Sequence, residues 1–109
     1  MLPKKNRVDR KGVNLIFRKG RFVTSPSFAF KFTKINTDKN KKQISFIAPK
    51  NIAKLAVKRN LLRRRGYSAL KKYIGQFPYG ILGVFVFKKY QDNILTIENE
   101  IKDILNKLN

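Results

Sequence analysis

The 109-residue chain contains no cysteine and no histidine, and its acidic residues total only six. Without cysteine, neither a disulfide framework nor a thiolate metal site can form. A two-metal protein nuclease needs several carboxylates converging on one cleft, whereas most of these acids fall in the last predicted helix, where they are expected to be surface charge. The serine, tyrosine and lysine residues have no accompanying base and orienting group. We therefore expect no catalysis by the polypeptide alone and assign no catalytic or metal-ligating residue.

Long hydrophobic runs are also missing. The longest, "GILGVFVF" at residues 80–87, is far below the roughly 20 residues that a membrane-spanning helix needs. The first residues, "MLPKKNRVDRKG", have no apolar stretch after their charges, so they do not resemble a secretory signal. These features, together with the absence of cysteine, predict a cytoplasmic protein without a membrane partner.

The chain is rich in cations and in phenylalanine. Lys and Arg total 26, giving a formal net charge of +20, and nine phenylalanines contribute to a hydrophobic content of 42%. Such a chain can build a core, and its charge predicts a polyanionic partner, with nucleic acid as the first candidate. An acidic membrane surface is the second candidate, against which the missing apolar run argues. No linker or repeat divides the chain, so we predict one domain over residues 1–109, with a flexible basic segment at 1–8.

Hydrophobic spacing predicts a small α+β sandwich. The predicted order is α-β-β-β-α-β-α, with a short extended segment near residues 21–24 as the first strand. The other predicted elements are a helix at 9–18 with Gly20 as its C-cap, strands at 27–35 and 43–48 separated by a polar loop at 35–42, a helix at about 53–74 and a central strand in 81–89. A last helix, capped by Asp92 or Asn93, is predicted from an apolar stripe at helical spacing that holds Ile94, Ile97, Ile101, Ile104 and Leu108. The long helix is expected to be the crossover between two strands and to pack on the sheet.

The three phenylalanines in "SFAFKFTKI" at residues 27–35 share one face of the predicted strand. We assign Phe28, Phe30 and Phe32 to the core. The alternative, a base-stacking sheet with interleaved aromatics, lacks the glycine-rich companion motif that such sheets carry.

The long predicted helix contains the cation run "AVKRNLLRRRGYSAL" at residues 56–70. When the helix is projected at about 100° per residue, its residues divide into an apolar stripe and a polar side. The stripe holds Leu62, Gly66, Ala69 and Tyr73, with Leu70 beside it; the polar side holds Asn60, Arg63, Arg64, Tyr67 and Lys71. A merely solvated face is the alternative interpretation. However, no acid occurs between Lys39 and Gln91, so neutralising i,i+4 pairs are missing, and arginine suits phosphate. The polar side is therefore predicted to bind phosphate.

Arg59-Asn60-x-x-Arg63-Arg64 resembles the "RNxxKR" signature of the protein subunit of bacterial ribonuclease P. The similarity continues in "LIFRKGR", "PSFAFKF" and "IAPKNIAKLAVKRN", in order and at matching spacing over nearly the whole chain. It implies a compact α+β fold with a left-handed βαβ crossover. It also implies a ribonucleoprotein endonuclease whose RNA subunit, with bound Mg²⁺, removes the 5′ leader of precursor tRNA while the protein assists.

The resemblance implies two sets of site residues and no cofactor held by the protein alone. Contacts with the catalytic RNA subunit are expected from Lys50, Lys54, Lys58, Arg59, Asn60, Arg63, Arg64 and Arg65. The cleft for the leader of precursor tRNA is expected to include Val13, Phe17 and Lys31. Core packing is the alternative role for Phe17. Mg²⁺ is expected on the RNA component, and DNA is not an expected partner.

The chain departs from the family pattern at several positions. Tyr67 stands where a further arginine is common, and of the three aligned cleft positions only Phe17 keeps an aromatic ring. A ribosomal-type structural RNA-binding protein, or an RNA chaperone, is the alternative function, because such proteins are equally basic.

Overall fold

The computed structural model describes residues 10–34 and 42–108. Within them the chain forms three α-helices, four strands and one 3-10 turn. The elements are α1 (Arg10–Lys19), β1 (Arg21–Thr24), β2 (Phe28–Lys34), β3 (Gln43–Ile47), α2 (Ala56–Leu70), the 3-10 turn Ile74–Gln76, β4 (Ile81–Phe87) and α3 (Ile94–Lys107). This α+β order confirms the prediction. The segment predicted to be flexible at 1–8 and the loop predicted at 35–42, apart from residue 42, lie outside the described residues.

The four described strands form one mixed sheet in the order β1-β2-β4-β3. β2 pairs antiparallel with both β1 and β4, whereas β3 and β4 are parallel. Parallel neighbours need a crossover connection, and α2 supplies it, as the sequence predicted. β4 lies between two strands and is buried on both faces apart from a half-buried Val86, which confirms the predicted central strand. The left hand of the crossover, implied by the resemblance, stays a prediction.

The sheet carries helices on both faces. α1 packs on β2 and β4, where Ile16 meets Leu82 and Val84 in a small buried cluster. The larger core lies on the other face, between the sheet and the helices α2 and α3. Its phenylalanine rings form edge and stacked pairs, for example Phe46 on Phe85 at 4.9 Å between ring centroids. The molecule is therefore a three-layer sandwich, with α2 and α1 on opposite sides of the sheet.

The central strand contains a glycine that the core requires. Gly83 lies opposite Phe32 in the sheet register, and the ring of Phe30 packs directly over it. A Cβ atom at this position would overlap that ring. Gly83 therefore forms a notch in β4 that the Phe30 ring fills.

The cation-bearing helix α2 begins later than predicted. Its first residue is Ala56 rather than a residue near 53. The backbone amides of Ile52 and Ala53 both donate to the Pro49 carbonyl, at 3.0 and 3.2 Å. The chain after Pro49 thus makes a separate turn before the helix starts.

α2 also ends earlier than predicted, at Leu70 rather than near residue 74. The amides of Lys72 and Tyr73 donate to the carbonyls three residues before them, Ala69 and Leu70. This tighter hydrogen bonding winds the chain into a turn that leads to the 3-10 turn at Ile74–Gln76. The prediction failed because an apolar stripe continues through Tyr73 even though the backbone geometry changes.

Gly20 directly follows the last residue of α1, at the predicted C-cap position, but it does not adopt the left-handed conformation common for C-cap glycines. Among the described residues only Gly80 has a positive φ. The Gly20 amide instead donates to the Ile16 carbonyl at 2.7 Å, and a Cβ atom on Gly20 would lie 2.9 Å from the Phe32 carbonyl oxygen. This glycine is needed for the close approach of the end of α1 to β2.

The last helix, α3, is capped by Asn93, whose side chain accepts a hydrogen bond from the Thr96 amide at 3.1 Å. Its predicted apolar stripe is confirmed, with Ile97, Ile101 and Ile104 fully buried. The prediction that its acids are surface charge is wrong for two of them, because Glu98 and Glu100 are buried.

Candidate nucleic-acid interface

α2 is fixed to the sheet by the predicted apolar stripe. Leu62, Gly66, Ala69 and Leu70 are buried. Gly66 lets the helix backbone approach the Phe46 side chain so closely that a Cβ atom would lie 2.5 Å from the ring. The stripe holds the helix rigidly and leaves its opposite side free for a partner.

The prediction that Tyr67 lies on the polar side of α2 is wrong, because the residue is buried. Only 5% of its surface is exposed, and its ring meets the edge of Phe46 at 5.2 Å. Its hydroxyl accepts a hydrogen bond from the Phe46 amide at 3.2 Å, so it satisfies a backbone donor of β3. The apolar ring with a polar tip suits this position. The residue therefore does not replace the missing arginine on the exposed surface.

We call the residues predicted to contact the RNA subunit the cationic surface. Six of them are exposed and two, Arg59 and Arg63, are half-buried. The exposed members are Lys50, Lys54, Lys58, Asn60, Arg64 and Arg65. The structure thus brings the predicted set together along α2 and the turn before it.

The half-buried members of the cationic surface also have contacts within the protein. The Arg59 guanidinium donates to the carbonyls of Ala53 and Lys54, at 3.0 and 2.7 Å, and so ties the turn after Pro49 to the helix. The Arg63 guanidinium donates to the side-chain oxygen of Asn60. Arg59 therefore stabilises the start of α2 as well as contributing charge.

No carboxylate in the described part of the chain pairs with the cationic surface. Among the described residues, the one ion pair joins Lys72 to Glu98 at 2.9 Å, beyond the end of α2. The hydrogen bond and charge of Glu98 raise the pKa of Lys72 above its ordinary value of 10.5. The first turn of α2 contains no acid, so the positive end of the helix dipole adds to the cations. The resulting potential favours phosphate groups.

The predicted leader cleft lies on the opposite side of the sheet, beside α1. The Lys31 ammonium lies 4.5 Å from the ring centroid of Phe17, within the range of a cation–π contact. Phe17 is 50% exposed, so the alternative of core packing is wrong for it. Val13 is half-buried against the cluster around Ile16 and therefore serves more as support than as an exposed surface.

The core assignment of the strand phenylalanines is confirmed. Phe28 and Phe30 are fully buried, and the half-buried Phe32 packs against the same core. Sequence reasoning missed a different aromatic residue, Phe22 in β1, which is 67% exposed. The pattern of the short segment at 21–24 could not indicate its neighbours, because these depend on the register with β2.

The described part of the chain contains no group of three His, Cys, Asp or Glu residues that could hold a metal ion. Glu100 is engaged by Ser25 and Ser27, and Glu98 by Lys72. No helix in the described ranges is both long and apolar enough to cross a membrane.

Comparisons with known proteins agree with this architecture. The family model for ribonuclease P matches residues 2–109. The solved ribonuclease P protein of Thermotoga maritima is 20% identical, with a TM-score of 0.80 over 94% of this chain and 97% of that one. The Staphylococcus aureus ribonuclease P protein is 17% identical, with a TM-score of 0.79 over 96% of each chain. A comparison with curated protein sequences finds no match. Since the family model spans nearly the whole chain, this protein belongs to the ribonuclease P family, as a protein subunit of that tRNA-processing endoribonuclease.

Proposed function

We propose that this protein binds the catalytic RNA subunit of ribonuclease P through the cationic surface and the 5′ leader of precursor tRNA through the Phe17–Lys31 cleft. In this role it assists the RNA- and Mg²⁺-dependent hydrolysis that releases the leader. The observation that carries the proposal is a rigidly packed helix whose exposed cations lack carboxylate partners among the described residues.

The cationic surface acts by positioning. Contacts with phosphates fix the register of a protein on a nucleic acid without reading its sequence. Arg64 and Lys58 project from a helix that is anchored along its other side. Little backbone conformational entropy is therefore lost when these side chains meet the RNA. On the other side of the sheet, the half-exposed ring of Phe17 offers a stacking platform, and Lys31 beside it attracts the phosphate backbone.

The chemistry of bond cleavage is left to the RNA and its Mg²⁺. The described carboxylates are spread between the loop before α3 and α3 itself, and two of them are already engaged within the protein. The described helix α1 and strands β1 and β2 contain no Asp, Glu or His that could act as a base to activate water. Binding the leader and the catalytic RNA at once would raise the local concentration of substrate at the RNA active centre.

A cleavage assay tests the proposal. The RNA subunit from the same organism would be incubated with precursor tRNA at limiting Mg²⁺, with and without the protein. We expect the protein to increase the cleavage rate and to lower the Mg²⁺ requirement, because it neutralises phosphates at the interface. Stimulation no greater than that by an unrelated basic protein would instead favour a general RNA chaperone or a ribosomal-type protein.

The cationic surface is tested by a matched pair of substitutions, Arg64→Ala and Lys102→Ala. Both side chains are exposed, and the Arg64 side chain is not part of the ion pair formed among the described residues. We expect Arg64→Ala to weaken binding of the RNA subunit by about tenfold, the value of one charge-assisted hydrogen bond, and Lys102→Ala to change it little. Equal effects in a filter-binding titration would show that the surface is wrongly placed.

A further inference from the structure

Phe22 is a large aromatic side chain left in solvent at the edge of the sheet. It belongs to β1, the edge strand, and 67% of its surface is exposed. An exposed apolar side chain on an edge strand is a liability for aggregation. A bound partner at this edge of the sheet would cover the Phe22 ring.

The sheet register places Phe22 next to the leader cleft. Phe22 lies opposite Lys31, and Lys31 lies opposite Val84. Val84 is buried against Ile16 of α1, so this row of side chains is on the face that carries α1. Directly opposite residues of antiparallel strands have Cβ atoms about 4.5–5.5 Å apart. Lys31 thus stands between two exposed rings, Phe17 on one side and Phe22 on the other.

Beyond Phe22 the surface continues around the edge of β1 into a groove on the face of the sheet that carries α3. Phe22 lines this groove together with three cations, Arg21, Lys34 and Lys107. None of the described side chains that line it is acidic. Lys107 also donates to the Thr24 carbonyl at 2.9 Å, which holds the end of α3 at the strand edge.

We propose that Phe22 is a second stacking platform for single-stranded RNA and that the groove beside it binds the phosphates of the nucleotides that follow. The inference rests on the proposed function, because it extends the leader-binding surface from Phe17 across Lys31 to the edge of the sheet. Alternating rings and cations match a single strand, in which each base presents a flat face and each linkage carries a negative charge. Phe22 thereby supplies an aromatic ring beside Lys31, a cleft position at which this chain has no aromatic ring of its own.

The test uses the reconstituted holoenzyme and precursor tRNAs whose leaders grow one nucleotide at a time, with mature tRNA as the leaderless reference. Affinity is measured under conditions that suppress cleavage. We expect Phe22→Ala to leave binding of mature tRNA and short leaders unchanged and to weaken binding by about 5- to 100-fold once the leader reaches the platform. Phe22→Trp should retain the affinity, whereas Phe22→Leu, which keeps apolar bulk without an aromatic face, should lose most of it.

Two further variants serve as a control for an exposed apolar side chain elsewhere and as a test of the groove. Leu95→Ala is the matched control, because Leu95 is 66% exposed but lies at the start of α3, whereas only the end of that helix lines the groove. This variant should bind all leaders as the unmodified protein does. Lys34→Ala should reduce the salt dependence for long leaders only, because one phosphate contact in the groove is lost.

The leader series itself assigns a failure to one proposal or the other. If no leader length improves binding by the unmodified protein, the leader-binding function is wrong. If leaders do improve binding and Phe17→Ala reduces the gain while Phe22→Ala does not, the second platform is wrong. A loss with Phe22→Ala that is equal for mature tRNA would also overturn it.

Discussion

Gly66 and Tyr67 are neighbours in α2, and both contact Phe46 of β3 in different ways. Gly66 allows the helix backbone to lie against the Phe46 ring, while the Tyr67 hydroxyl pairs with the Phe46 amide. Helical phase predicted the first role. It placed Tyr67 among the exposed cations, because a helical projection does not show that the neighbouring strand offers an unpaired amide. The burial of Tyr67 thus depends on tertiary contact.

Gly66→Ala tests the close approach, with Gly75→Ala as its control. A Cβ atom at Gly66 would meet the Phe46 ring, and overpacking of this kind costs about 1–3 kcal/mol, more than the roughly 1 kcal/mol gained in helix propensity. At Gly75 nothing lies within 4 Å of the new atom. Urea unfolding should therefore show a lower free energy of unfolding for Gly66→Ala and an unchanged or slightly higher one for Gly75→Ala. A stabilised Gly66→Ala protein would contradict the described packing.

At the scale of elements, a buried carboxylate joins α3 to the turn between β1 and β2. One oxygen of Glu100 accepts hydrogen bonds from the Ser25 hydroxyl and the Ser27 amide, each at 2.6 Å. The sequence predicted β1 as a short extended segment, and the helical spacing of its isoleucines predicted the apolar stripe of α3. It could not predict that an acid on α3 faces inward, because the donors come from a turn more than 70 residues away.

Glu100→Ala should destabilise the protein by about 2–4 kcal/mol, because two buried donors lose their partner. Asp103→Ala, which removes an exposed acid from the same helix, should change the free energy of unfolding by no more than about 0.5 kcal/mol. Chemical denaturation of both variants gives the comparison. Similar small changes in the two would mean that the Glu100 contacts contribute little to stability.

At the scale of the whole molecule, the chain has a formal charge of +20, and cations occur on both faces of the sheet. The cationic surface lies with α2 on one side of the sheet, and the leader cleft lies with α1 on the other. Composition predicted a polyanionic partner, and the motif predicted which helix carries the charge. The separation of the two surfaces follows from the packing of α1 and α2 on opposite faces of the sheet, which no local pattern in the sequence specifies.

Binding of the RNA subunit should weaken steeply as salt is added, because each neutralised phosphate releases counterions. We expect a plot of log K against log salt concentration with a slope steeper than about −3, and a slope about 1 unit shallower for Arg64→Ala. Filter binding over a range of KCl concentrations measures both slopes. A nearly flat plot would contradict an electrostatic interface.

The notch at Gly83 affects the register in which β4 pairs with β2. Because β4 is apolar on both faces, its pattern alone does little to distinguish the native pairing with β2 from a pairing shifted by one residue. In a shifted pairing, Leu82 or Val84 would replace Gly83 beneath the Phe30 ring, and neither leaves room for it. The glycine thus selects a single register for the strand at the centre of the sheet, and through it sets the relative position of the helices packed on the two faces.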